Sequence, residues 1–150
     1  MTVYRASAED HAFLEAVKSG TLPAASFDHR AHVRLAYLNL ADHSVDAALV
    51  SFRATLQAFI RTHGIDPGKY HETITVAWLL AVRHFMDGAG ACASADEFIE
   101  RCSHILDTSI MMTHYSQARL FSGEARAGFV EPDLTPIPFG DRREIGPPLM

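Results

Sequence analysis

The chain has 150 residues, 48% of them hydrophobic and 21% charged, with a formal net charge of −5. That length specifies one domain able to bury a core of its own, and that balance excludes a disordered tract or a disulfide scaffold. The acid excess disfavours nucleic acid as a partner, because phosphate binding needs a basic face.

Ser7 stands before AEDHAFLEAVKSG, with acids at the start and Gly20 at the end, which are the start and stop signals of a first helix. TLPAASF reads as a loop. Asp28 is a cap for a second helix over 28–42, and Ser44 for a third ending at Gly64. IDPGK is a turn, and a fourth helix is expected over 70–86. Ser94 and Glu97 form a capping box for a fifth, 95–106. TSIMMTHYS extends that helix or starts a short one, and SGEARAGF is a further short helical piece. Beyond Glu131, prolines at 132, 136, 138, 147 and 148 forbid helix or central strand.

No segment alternates apolar and polar residues as a strand would. The expected fold is all-α: one domain over 1–138, a bundle of four to five helices closed by an extended Pro-rich C-terminal strap. Residues 139–150 are expected to be a flexible tail. No apolar run approaches the ~20 residues of a membrane span, and the opening MTVYRASAED has no apolar signal core. Cys92 and Cys102 lack metal-like or CxxC spacing and read as free thiols. Together these features predict a cytoplasmic protein.

Nine histidines are an unusual number for this length, and position selects among them. On a helical wheel, His29 and His32 of FDHRAHVRLAY share the apolar face with Val33, Ala36 and Leu40, opposite Arg30 and Arg34. In YHETITVAWLLAV, His71 lies in the middle of the most apolar stripe, with Trp78 and Val82, and Glu72 at its edge. His84 falls on the outer face. A buried imidazole needs hydrogen-bond partners or a metal. If the second and fourth helices run in the same sense, up, down, up, their first turns share one end of the bundle.

Three such imidazoles suit a divalent transition metal (Zn, Fe, Cu, Ni or Mn), with an open position for water or substrate. The expected roles are His29, His32 and His71 as metal ligands and Glu72 as catalytic base or orienter of a water. Tyr70, Thr75 and Arg119 are candidates for contact with a small organic substrate, and His114 is a further candidate member of the site. Asp28 reads as a cap, and Trp78, Phe85 and Met86 read as core. HETIT carries Thr75 where a zincin HExxH needs its second histidine, so that motif is absent.

FDHRAHVRLAY, KYHETITVAW and ARLFSGEARAGFVEPDLTPIP together resemble a group of short bacterial proteins with F-x-H-x-x-H, Y-H-E-T-x-T and a closing P-D-L-x-P-x-P. The resemblance spans roughly residues 27–138. It implies that Phe27, His29, His32, Tyr70, His71, Glu72, Thr73, Thr75 and the Pro-rich tail form a unit; it names no activity. Two readings stay open. One is a metal-dependent enzyme acting on a small molecule. The other is a non-enzymatic small-molecule-binding or interaction module whose histidines are hydrogen-bonded structural residues. Either is compatible with a homo-oligomer.

Overall fold

Each of the seven α-helices begins on a side chain that accepts a hydrogen bond from the backbone of its own first turn. The computed structural model describes residues 3–137. The helices are α1 (Ala8–Ser19), α2 (His29–Asp42), α3 (Val45–Thr62), α4 (Glu72–Ala89), α5 (Ala95–Arg101), α6 (Gln117–Leu120) and α7 (Gly123–Ala127). Short 3-10 turns occupy Ala24–Ser26, Pro67–Lys69, Ser103–Leu106 and Thr108–Thr113. Among the described residues there is no strand, only an isolated bridge between Tyr4 and Cys92. No described helix is long and apolar enough to cross a membrane.

The all-α reading holds, with the expected caps at Ser7, Asp28, Ser44 and Ser94. The bounds of α4 and α5 differ from those expected, and α3 ends at Thr62, two residues before Gly64. α4 starts at Glu72, because the His71 ring itself serves as N-cap, and it runs on to Ala89. α5 stops at Arg101, and a 3-10 turn carries the chain on to Leu106.

α2 and α4 form the centre, flanked by α3 and α5. α2 buries residues all round, from Leu35 through Leu40, and α4 does so from Val76 through Val82; such helices belong in the middle of a core. Each fully buried Leu or Phe adds roughly 2 kcal/mol. Ring contacts set the directions. Along α2, Phe27 and His32 meet Phe59 and Phe52 of α3 in reverse order, so α3 runs back. His29 meets Trp78 of α4, while Tyr4 ties Tyr37 of α2 to the Met86 carbonyl of α4. α2 and α4 therefore run in the same sense, as the up, down, up arrangement requires.

Asp10 joins three helices. It is fully buried, accepts from the N–H groups of Ser7 and Ala95, and pairs with Arg34 Nε at 2.9 Å. The C-terminal strap is present over the described residues 131–137. The N–H groups of Leu134 and Thr135 donate to the carbonyls of His114 and Thr113, and Ile137 is buried. The expected tail, 139–150, lies outside the described residues, as does Pro138.

Candidate functional site

The first turn of α2 brings His29 and His32 together. Their ring centroids are 6.3 Å apart and their planes are within 20°. His29 Nε2 lies 3.0 Å from the Ile105 carbonyl. A carbonyl only accepts, so Nε2 carries the proton and Nδ1 presents its lone pair. The His29 ring also meets Trp78 at 4.5 Å.

His32 is enclosed by Phe27 at 6.3 Å and Phe52 at 5.1 Å. It keeps a partial opening to solvent, and among the described residues no protein group hydrogen-bonds to its ring. Burial, reinforced by the neighbouring His29, pulls its pKa down to about 4, so the ring is neutral at physiological pH.

His71 has a different fate. Its Nδ1 accepts from the Ile74 N–H at 3.1 Å, and its Nε2 donates to the Leu120 carbonyl at 2.7 Å. Both ring nitrogens are thereby occupied, and burial holds the imidazole below its ordinary pKa. It is Trp78, seven residues and about 10 Å of helix rise beyond His71, that reaches His29. The expected three-histidine cluster does not form in this arrangement. The helices run in the same sense, but His71 caps α4 and is drawn to α6. Among the described residues no group of three or more His, Cys, Asp or Glu side chains is arranged to hold a metal ion.

Glu72 is likewise engaged. Arg53 embraces the carboxylate with two nitrogens, its Nε at 3.0 Å, and the Tyr70 hydroxyl donates to Oε1 at 2.6 Å. The hydrogen bond to Glu72 holds the Arg53 guanidinium above its ordinary pKa. Burial, with the Glu72 hydrogen bond second, pushes Tyr70 up to about 12. A carboxylate so engaged is a structural anchor rather than a free base.

The remaining candidates hold backbone. Thr75 is buried and donates to the His71 carbonyl. Arg119 Nε donates to the Glu131 carbonyl at 2.6 Å, and His114 Nδ1 donates to that of Thr135 at 2.7 Å. Thr73 donates to Gly128 O and accepts from Val130 N–H. His71 and Thr73 thus dock Leu120, Gly128 and Val130 onto the start of α4, whereas the proline segment is held by Thr113, His114 and Ser116.

Reasoning from sequence missed Arg53, Phe52 and His63. Arg53 lies on α3, and no signal within its own segment pairs it with Glu72. The His63 ring lies tilted against Phe59 at 4.3 Å, and its buried Nε2 has no hydrogen-bond partner among the described residues. Phe59 in turn contacts Phe27, which extends a run of rings from His63 to His32. Two surface cavities of about 310 and 230 Å3 lie elsewhere. One is between α1 and α3 at Val17, Thr55 and Thr62; the other is beside Phe13, Asp28 and Arg34. Neither is lined by a histidine.

Comparison of the chain with family models, curated proteins and solved structures found no match.

Proposed function

We propose that this domain is a non-enzymatic binding module for a small ligand, with His29 and His32 as its recognition pair. One observation carries the reading. His32 is a neutral imidazole among aromatic rings with no hydrogen-bond partner among the described residues. An imidazole that opens to solvent and holds no protein partner is available to hydrogen-bond a ligand, and Phe27, Phe52 and Trp78 offer apolar surface beside the pair.

The module reading is favoured over catalysis by the state of the other candidates. The atoms that a hydrolytic or proton-transfer mechanism would need, on Glu72 and His71, are consumed in holding the fold. The free thiols of Cys92 and Cys102 support a reducing compartment, and we place the protein in the cytoplasm.

The test is nitrogen-resolved NMR of the histidine side chains while phenol, indole and benzamide are titrated in turn. The ring signals of His29 and His32 should move with at least one probe, while those of His71 and His114 stay still. Movement confined to His71, or turnover of any probe that is abolished in Glu72→Gln, would overturn the reading.

A further inference from the structure

The outward side of α3 carries no charge between its two ends. Val45, Ala48, Phe52, Leu56 and Phe59 turn the other side into the core, and Arg53, on the flank, is taken up by Glu72. At 100° per residue, Ala47, Val50, Ala54 and Ala58 lie within about 40° of one line opposite the core. The first three are exposed and Ala58 is half-buried. Val50 is 64% exposed, more than any other large apolar side chain among the described residues. A surface helix ordinarily shows a charged or polar face to water; this one shows alanine and valine. The surface cavity of about 310 Å3 between α1 and α3 runs beside the same line, and Lys18 is the only charged residue in its lining.

The charges at the two ends of α3 are opposite in sign. Asp46 stands in its first turn and Arg61 in its last. Both are exposed, and neither enters an ion pair among the described residues. They are about 22 Å of helix rise apart, with Ala54 close to midway, and both fall on the Val50 side of the outward line. A second α3 laid antiparallel across the first, with a two-fold axis at Ala54, sets each Asp46 beside Arg61 of the other copy. It also keeps the Val50 side of one copy against the Val50 side of the other. A parallel pair would instead set Asp46 on Asp46 and Arg61 on Arg61. Complementarity of a surface to itself is what an isologous contact requires, and it selects a second copy of this chain as the occupant. Alanine at the crossing lets the two helix axes approach to about 8 Å.

We infer that the outward face of α3 is a homodimer interface, in which two copies pack antiparallel across Ala54 with Val50 as apolar anchor and Asp46–Arg61 pairs at both ends. A helix face about 27 Å long covers on the order of 500 Å2 per copy, the low end of specific interfaces, so the dimer forms and dissociates at roughly micromolar concentrations. Phe52, which meets His32, lies on the other side of the helix. The interface therefore leaves the proposed ligand pair uncovered and is independent of it.

The test is sedimentation velocity of the full chain, without a tag, from roughly micromolar to hundreds of micromolar. The mass should rise from 16.5 kDa towards twice that value. Val50→Glu should weaken the dimer at least about tenfold, because it buries a charge at the anchor; Leu134→Glu, at another exposed apolar position, should not. Asp46→Lys and Arg61→Glu should each weaken it about tenfold, since either change sets like charges together twice across the two-fold axis. Mixing those two single variants in equal amounts should restore association, because each copy then supplies the charge that the other lacks. All of these positions are exposed, and circular dichroism checks that each variant is folded. A mass that stays at 16.5 kDa throughout overturns the inference, as does a dimer that Val50→Glu leaves intact. A dimer indifferent to either charge reversal, or one that mixing does not restore, overturns the antiparallel pairing.

Discussion

The Nε2 of His71 donates to the Leu120 carbonyl across 2.7 Å, joining residues 49 apart in the chain. The same ring caps α4 through Ile74 N–H. His71→Ala removes a cap, worth about 1 kcal/mol, and leaves a buried carbonyl unpartnered, worth about 1–2 kcal/mol more. We expect a loss of about 2–3 kcal/mol in urea unfolding. His71→Asn should recover the cap alone and fall in between. Equal stability of all three proteins would refute the double role.

Glu72 anchors Arg53 and Tyr70, so its neutral isostere should weaken the fold and leave ligand binding alone. Glu72→Gln is expected to cost about 1–2 kcal/mol, given a pair that is only partly exposed. Affinity for the organic probe that moves the His29 and His32 ring signals should stay within about twofold of the parent. A tenfold drop in the folded variant would instead put Glu72 at the site.

Thr73 bridges two backbone groups of the segment that follows α7, donating to Gly128 O and accepting from Val130 N–H. Thr73→Val keeps the shape and removes both bonds. The expected cost is about 1–2 kcal/mol, and amide exchange should quicken at Val130 first. Unchanged protection there would show that this segment is held by other contacts.

The pH dependence follows from Asp10. Burial opposes its charge, but the N–H groups of Ala95 and Ser7 and the Arg34 side chain outweigh this and hold its pKa below the ordinary value. A carboxyl depressed on folding contributes stability that is fully present above the unfolded pKa, near 4, and is lost as pH falls through the folded value. Asp10→Asn should therefore be destabilised by about 3 kcal/mol at pH 7, since it leaves Arg34 without its buried partner. The gap between variant and parent should narrow below pH 4. A gap independent of pH would point to packing alone.

Gly20 closes α1 at φ 79°, and a Cβ added there would stand 2.6 Å from Thr62 Cγ2. Gly20→Ala should cost roughly 1–2 kcal/mol from the left-handed backbone, with the clash in addition. Thr62→Ser removes the clashing methyl, so the double variant should recover part of the loss in a double-mutant cycle. Strict additivity would show that α1 and α3 adjust freely at that point.

The sequence by itself determined what is local. Capping residues, apolar periodicity and prolines depend on neighbours within one or two turns, and they placed the helices, the strap and the Asp28 cap. The i, i+3 spacing put His29 and His32 side by side, because a helix fixes that distance wherever it packs. Only the tertiary structure decided what those side chains meet. His71 shares the apolar stripe of its helix with Trp78, and nothing within its own segment announces that Leu120 will take its second nitrogen. Glu72 looks like a free carboxylate until α3 delivers Arg53. Periodicity tells which face is buried; which polar group is satisfied there, and which is left with a lone pair to offer, depends on chain segments tens of residues away.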